Sequence, residues 1–263
     1  MILESRDNKL VKHIARLLTS RSYRYSSKEY VIEGFKMASE ALELNIPMSC
    51  AIFSQEASIK HADLAAKMKM DNIQIHEASN DLFQKLSDTK TPQGITCIVK
   101  MLDKPVTADK IECNGVYLAI EQLQDPGNMG TIIRTADAFG ITGIILSAGC
   151  VDIYSPKVLR STMGSIFRLP IMVTEDFAAT LKNASQNKMQ TLAAVIGGKD
   201  VIPLDEIQPH GGIIAVIGNE ANGLSDEVIE ACTQKITIPM KGNAESLNAS
   251  IAAGIIIWKI SQL

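Results

Sequence analysis

The sequence has few of the features that mark secreted, membrane-bound or metal-bound proteins. Its five cysteines form no C-x-x-C pair, and its four histidines lack the spacing of metal ligands. No apolar run approaches the ~18 residues of a transmembrane helix, and the N-terminus has no signal-peptide core. We therefore expect mainly buried free thiols, no bound metal, and a soluble protein of a reducing compartment, the cytoplasm.

The charges nearly balance in total but are unevenly distributed. The 263 residues carry 26 Lys and Arg against 29 Asp and Glu, a net charge of −3. This balance argues against a protein that coats nucleic acid indiscriminately. The first 36 residues nevertheless hold eight basic and four acidic side chains. If a polyanion binds, we expect its first contact in this N-terminal segment.

The chain reads as two successive α/β segments. Over 1–101, helical runs such as LVKHIARLL alternate with β-type runs such as EYVIEG, MSCAIFS, NIQIHE and ITCIVKML. Residues 102–113, with their Lys-Pro break, are typical of a linker. Over 114–263, strands rich in Val, Ile and Leu alternate with helical runs. The pattern predicts an α/β fold in which a small N-terminal α/β domain precedes a mainly parallel sheet covered on both faces.

The first strand of the second domain ends in an unusual loop. Pro126-Gly127 makes a turn after VYLAIEQ, and a helix begins near Asn128. At ~100° per residue, Arg134 lies on the side opposite the apolar stripe of this helix and points toward solvent or a cleft. An exposed ion pair between Arg134 and Asp137 is the more ordinary interpretation.

Two later strands also end in small and polar residues. The strand IIAVIG runs into Asn219 and Glu220, and a carboxylate at the tip of a buried strand needs a partner unless it belongs to a plain acidic turn. The strand KITIPM leads to Ser246 and Asn248 at the start of an apolar helix, where either residue could serve only as an N-cap. Because ligands bind outside the carboxyl ends of parallel strands, the three loops together predict a binding site.

These loops resemble the ordered motifs of the SpoU-type ribose 2′-O-methyltransferases of the SPOUT superfamily. The first motif is DPGNMG from Asp125 with RTA from Arg134, and the second is GNE from Gly218 with GLS from Gly223. The third is IPM from Ile238 with ESLN from Glu245. The resemblance covers residues 115–260 and includes the segment SPKVLRSTMGSIFRLP. Residues 1–100 are more loosely similar to the family's RNA-binding domain, which resembles a ribosomal protein.

The resemblance implies S-adenosylmethionine as methyl donor, a ribose 2′-hydroxyl of RNA as acceptor, a C-terminal trefoil knot and a homodimer. The implied cofactor-binding residues are Gly218, Asn219, Ile238, Met240, Leu247 and Asn248. The implied reaction site consists of Asn128, Arg134, Glu220, Ser246 and Asn248. The family assigns activation of the hydroxyl to Arg134. Because a guanidinium is not normally deprotonated, a milder role for Arg134 is to bind the neighbouring phosphate and stabilise the developing alkoxide.

The N-terminal domain offers one candidate RNA contact. Arg21, Arg24 and Tyr25 combine positive charge with an aromatic ring, a pairing suited to phosphate contact and base stacking; an ordinary solvated basic turn is the alternative. By its resemblance to the family, the two-domain organisation with an rRNA-type N-terminal module implies rRNA rather than tRNA as substrate. The alternatives are a tRNA methyltransferase, a non-catalytic RNA-binding member of the family, and an enzyme that methylates rRNA at an antibiotic site.

Overall fold

The computed structural model describes residues 2, 3, 5, 7–87, 89, 91–101 and 111–263. Most of the expected linker, 102–110, lies outside these described residues. Internal contacts divide the chain into two compact units. The first comprises Met1–Asp103 and Asp152–Phe167, and the second comprises Lys104–Val151 and Arg168–Leu263. Among the described residues, no helix is long and apolar enough to cross a membrane.

The first unit is built on a five-stranded mixed sheet. Its strands are β1 (Ile2–Leu3), β2 (Glu29–Glu33), β3 (Met48–Ser54), β4 (Gln74–Ala78) and β5 (Ile95–Lys100). Their spatial order is β1-β4-β3-β5-β2, with β5 antiparallel to both of its neighbours and the other pairs parallel. Its helices include α1 (Lys9–Thr19), α2 (Arg21–Ser27), α3 (Phe35–Glu43), α4 (Gln55–Lys60), α5 (Ala62–Met70) and α6 (Asn80–Leu86).

Local sequence explains most of these helices. Asn8 caps α1 by accepting a hydrogen bond from the N–H of Leu10, and the apolar face of α1 is buried as its periodicity predicts. Ser20 caps α2, so the segment with Arg21, Arg24 and Tyr25 is a helix and not the basic turn given as the alternative. The run EASIKHADLAAKM has the composition of one helix, but it forms two, because α4 ends at Lys60, α5 begins at Ala62 and His61 lies between them.

The second unit is built on a seven-stranded sheet in which every pairing is parallel. The strands are β6 (Val116–Ile120), β7 (Gly143–Ser147), β8 (Ile171–Thr174), β9 (Gln190–Ala194), β10 (Val201–Pro203), β11 (Ile213–Ile217) and β12 (Gln234–Thr237). Their order is β10-β12-β9-β11-β6-β7-β8. The helices are α7 (Pro126–Ala138), α9 (Phe177–Gln186), α10 (Asp226–Ala231) and α11 (Ala249–Ile260), while α8 (Pro156–Thr162) belongs to the first unit. The predicted α/β class, with a small N-terminal domain and a mainly parallel C-terminal sheet, is confirmed.

The central strands show why this sheet is parallel and internal. All five residues of β7 and all five of β11 are buried, so their side chains pack on both faces of the sheet. The strands predicted at VYLAIEQ, IIAVIG and KITIPM are present as β6, β11 and β12. Strand β10 was not predicted, because its three residues are too few to show a pattern.

The cysteines are all free, as expected, but they are not all buried. Cys50, Cys97 and Cys150 are buried, Cys232 is partly buried, and Cys113 is exposed. The expectation of a buried thiol is therefore wrong for Cys113, which lies in a turn before β6 rather than in an apolar run. Within the described ranges, no three His, Cys, Asp or Glu side chains are grouped to hold a metal ion.

Candidate active site

The carboxyl ends of β6 and β11 lie side by side and bring two polar loops together. Ile120 is in register with Ile217, and the N–H of Glu121 donates to the Ile217 carbonyl at 2.9 Å. The first loop leads from β6 into α7, and the second leads from β11 into α10. The parallel register therefore places side chains distant in sequence at one edge of the sheet.

Glu220 connects these two loops. Its carboxylate accepts hydrogen bonds from the backbone N–H groups of Gln124 (3.2 Å) and Asp125 (3.0 Å), and from the Asn128 side-chain amide (3.1 Å). The carboxylate at the tip of β11 therefore has three protein donors. This arrangement differs from a plain acidic turn, in which the carboxylate would be solvated only.

The hydrogen bonds set the ionisation of Glu220. Partial burial opposes the charged form and would raise its pKa. Backbone N–H groups, including those of Asp125 and Gln124, and the Asn128 amide outweigh burial and lower the pKa below its ordinary value of 4.5. Glu220 is thus a stable anion at neutral pH, suited to holding Asn128 in one orientation.

Asn128 extends the connection to the third loop. Its side-chain oxygen accepts a hydrogen bond from the Asn248 amide at 3.1 Å. Asn248 is also the N-cap of α11, because its side-chain oxygen accepts from the N–H groups of Ser250 (2.9 Å) and Ile251 (3.4 Å). Asn248 therefore caps α11 with its side-chain oxygen and binds Asn128 with its side-chain amide. A continuous chain, Glu220–Asn128–Asn248, links all three predicted loops.

A cavity of about 560 Å³ lies beside these hydrogen-bonded residues in the second unit. Its walls come from the end of β9, the loop after β11, the segment after β12 and the inner face of α11, and most of the lining side chains are apolar. The predicted site residues that line it are Gly218, Asn219, Glu220, Ile238, Met240, Ser246 and Leu247. The predicted residues that do not line it are Asn128, Arg134 and Asn248.

Gly218 is the glycine of the cavity wall that leaves no room for a side chain. A Cβ added there would lie 2.1 Å from the Gly223 carbonyl carbon and 2.4 Å from the Leu224 nitrogen. The loop closes on itself through two backbone hydrogen bonds between Asn219 and Gly223. Glycine at 218 is therefore required by the close approach of backbone.

Arg134 lies on the exposed side of α7, as its helical position predicts. The ordinary alternative, a pair with Asp137, does not form, because Asp137 accepts hydrogen bonds from Arg168 at 2.6 and 3.0 Å. In the part of the chain that the structure describes, the Arg134 side chain has no hydrogen-bond or ion-pair partner. Its guanidinium is therefore available to a ligand.

Two residues of the site were not predicted. Glu121 is buried and accepts hydrogen bonds from the N–H and the hydroxyl of Ser225 at 2.8 and 2.7 Å. Gln122 has a φ of 49°, and its carbonyl accepts from the side-chain amides of Gln124 and Asn219, both at 2.8 Å. The signal that singled out Glu220, a carboxylate directly after a buried strand, also applies to Glu121.

The N-terminal candidates separate into buried and exposed residues. Arg24 is only 4% exposed, and its guanidinium donates to the Asp152 carboxylate and to the Leu17 carbonyl. The expectation that Arg24 contacts RNA is therefore corrected, because its donors are occupied inside the first unit. Tyr25 is 42% exposed, and the Arg21 guanidinium lies 5.5 Å from its ring centroid, so these two remain at the surface.

The family of the chain follows from comparison with known proteins. The SpoU rRNA Methylase family matches residues 115–258, and the MRM3-like substrate binding domain matches residues 8–97. The first match covers more than half of the chain. The chain therefore belongs to the SpoU rRNA methylase family, and the resemblance predicted from the three motifs is confirmed.

Individual relatives match over nearly their whole length. The chain is 30% identical to the 23S rRNA (guanosine(2553)-2′-O)-methyltransferase RlmP of Bacillus subtilis, over 98% of each protein. It is 29% identical to the 23S rRNA (uridine(2479)-2′-O)-methyltransferase of Streptomyces viridochromogenes, over 92% of this chain and 86% of that protein. The AdoMet-bound rRNA methyltransferase of Sinorhizobium meliloti is similar with a TM-score of 0.86 at 29% identity, covering 100% of this chain and 97% of that one.

Proposed function

We propose that the protein transfers a methyl group from S-adenosylmethionine to a ribose 2′-hydroxyl of rRNA. The observation that carries the proposal is the hydrogen-bonded chain Glu220–Asn128–Asn248, which joins the three family motifs beside the cavity. Two relatives that match over most of their length are named 23S rRNA 2′-O-methyltransferases, which favours rRNA over tRNA. An ordered polar site beside the cavity also speaks against a non-catalytic RNA-binding protein.

The cavity suits S-adenosylmethionine. Its volume of about 560 Å³ lies within the range of ordinary cofactor sites. Its apolar walls suit an adenine ring, and the backbone polar groups of Gly218 offer hydrogen bonds to the cofactor. Ile238, Met240 and Leu247 close the cavity from the third motif, and Asn248 holds that motif in place. When bound, the cofactor supplies a methyl group on a positively charged sulfur, so transfer to oxygen cancels charge.

In this proposal Arg134 binds the acceptor. Its guanidinium stays protonated, donates hydrogen bonds to the phosphate beside the target ribose and stabilises the alkoxide that develops on the 2′-oxygen. The hydroxyl proton passes to solvent late in the reaction. Asn128 and Ser246 shape the acceptor site, and Glu220 fixes the orientation of Asn128. Alignment contributes more than a strong base, because the methyl donor is already activated.

The experiment that tests the function maps 2′-O-methyl positions in RNA from cells with and without the protein. We expect one rRNA position to lose its methyl group. In vitro, Arg134→Ala should reduce methyl transfer at least ~100-fold, the size of a lost oxyanion donor, while cofactor affinity persists. Near-normal turnover by this variant would remove Arg134 from the mechanism. Loss of a 2′-O-methyl group from tRNA instead would identify tRNA as the substrate.

We also propose the domain division of the family for this chain. A substrate-binding domain over 1–101 and a catalytic domain over 114–263 flank the linker 102–113, and the two family matches support this division. Arg21 and Tyr25 provide an exposed RNA contact in the first domain. Five unpaired thiols support a reducing compartment, the cytoplasm.

A C-terminal trefoil knot and a homodimer complete the proposal. Strand β12 lies between β9 and β10, which both precede it in the chain, and this order is compatible with the knot that the family resemblance implies. The outer face of α11 exposes Ile251 (54%) and Trp258 (55%), a surface that a second copy would cover. Light scattering tests the dimer: Ile251→Asp with Trp258→Asp should yield monomers, and an unchanged mass would reject this interface.

A further inference from the structure

The outward side of α1 carries three basic side chains in a row. Lys9, Lys12 and Arg16 follow the spacing i, i+3, i+7, so they fall within about 60° of helical arc. All three are exposed. The opposite side of the helix is buried in the first unit through Val11, Ile14 and Leu17. We call the three exposed residues the α1 basic stripe.

Arg16 is held in a defined position at one end of this stripe. Its guanidinium carbon lies 3.8 Å from the centroid of the Tyr23 ring. Tyr23 is fixed in turn by a 2.9 Å hydrogen bond between its hydroxyl and Nδ1 of His13. Stacking uses the flat face of the guanidinium and leaves its N–H edges for other acceptors. Within the described residues, no acceptor takes those N–H groups.

Among the described residues, the carboxylates near the stripe, Glu29 and Asp7, do not neutralise it. Both oxygens of Glu29 already have partners, because they accept from Nε2 of His13 at 2.9 Å and from the Ser49 hydroxyl at 2.5 Å. Asp7 pairs with Lys12 at 2.8 Å, but their side chains are 89% and 60% exposed. Such a pair is weak and screened by salt, so a phosphate can replace it.

We propose that the α1 basic stripe is a contact surface for the RNA backbone, with the Arg16–Tyr23 stack as its fixed end. The proposal rests on the proposed function, in which RNA is the substrate. Seven residues separate Lys9 from Arg16, about 10 Å along the helix axis. A planar, pre-stacked guanidinium beside two lysines suits a ligand that offers both phosphates and flat bases. The stripe is separate from Arg21 and Tyr25.

The test compares two triple variants with the same change in charge. Lys9→Gln, Lys12→Gln and Arg16→Gln together should weaken binding of a labelled short single-stranded RNA at least tenfold at low salt. They should also reduce the slope of log affinity against log salt by about 2, the effect of losing three phosphate contacts on a single strand. The control neutralises Lys60, Lys67 and Lys69, which are exposed on α4 and α5 of the same unit. Equal losses in both triples, or no loss in the first, would overturn the proposal.

A second variant separates stacking from charge. Arg16→Lys keeps the positive charge but loses the planar guanidinium that stacks on Tyr23. The affinity for RNA should therefore fall several-fold, while the slope of log affinity against log salt stays unchanged. Equal competition by polyglutamate or by anionic phospholipid vesicles would reject RNA as the specific ligand. Methyl transfer by the unaltered protein is measured separately on unmethylated rRNA. A protein that binds RNA through the stripe yet transfers no methyl group contradicts the proposed function alone.

Discussion

The Glu121 carboxylate accepts two hydrogen bonds from Ser225, one from the Ser225 backbone N–H at 2.8 Å and one from the Ser225 hydroxyl at 2.7 Å. Glu121 is the first residue after β6, and Ser225 is the N-cap of α10. The loop that lines the cavity, 218–224, ends where this contact begins. Glu121 is therefore a positioning residue, because it fixes the far end of the cavity loop without lining the cavity.

We expect Glu121→Ala to weaken cofactor binding more than it lowers kcat at saturating cofactor. The substitution leaves two donors of Ser225 without their acceptor, which should also cost about 1–3 kcal/mol of unfolding free energy. Calorimetry with S-adenosylmethionine and urea unfolding measure the two effects. Glu121→Gln retains one acceptor oxygen, so its cofactor affinity and its unfolding free energy should lie between those of the unaltered protein and Glu121→Ala. Glu230→Ala, an exposed acid on α10, is the control, and equal behaviour of Glu121→Ala and this control would contradict the positioning role.

The sequence predicted the parts of the site that depend on strand ends. Polar residues at the carboxyl ends of parallel strands must meet at one edge, so the proximity of Asn128, Glu220 and Asn248 followed from the pattern. Which partner each would choose did not follow. Asn248 could be predicted as a cap, but its second bond to Asn128 depends on the crossing of α7 and α11, which local sequence does not specify.

The burial of Arg24 shows where the pattern fails. An arginine in a basic, tyrosine-rich segment is typical of an exposed nucleic-acid contact. Its actual partner, Asp152, lies 128 residues later in the chain, and no local signal announces such a pair. The break between α4 and α5 at His61 was missed for a similar reason, since both halves of the run have helical composition.

The depressed pKa of Glu220 leads to a prediction about pH. Because its pKa is lower in the folded state, its carboxylate contributes stability above the ordinary value of 4.5, and this is lost as pH falls through the folded pKa. Asn128→Ala removes one of the hydrogen bonds that lower the pKa. In this variant the carboxyl resonance of Glu220 should titrate at a higher pH in NMR spectra. Asn222→Ala, whose side chain makes no bond to Glu220, should leave the midpoint in place; identical midpoints in all three proteins would show that Asn128 does not tune Glu220.

The buried pair of Arg24 and Asp152 leads to a prediction about stability. Arg24→Met leaves a carboxylate buried without its counter-ion, so unfolding free energy should fall by about 3–5 kcal/mol. Replacing both residues, as Arg24→Met with Asp152→Leu, should cost clearly less than the sum of the single changes. Denaturant unfolding of the unaltered protein, the two single variants and the double variant measures this double-mutant cycle. Strict additivity would mean that the two side chains do not act as a pair.

Gly218 allows the sharpest test of the cavity loop. Gly218→Ala places a methyl group against the backbone of Gly223 and Leu224, where no flexible side chain can give way. The loop must shift, so cofactor affinity should fall at least tenfold and unfolding free energy by about 1–3 kcal/mol, the usual cost of overpacking. Gly242→Ala is a matched control after β12, because a Cβ there meets no atom within 4 Å. Titration of both variants with S-adenosylmethionine decides the matter. If Gly218→Ala bound the cofactor as tightly as Gly242→Ala does, the backbone approach at Gly218 would not be what shapes the cofactor site.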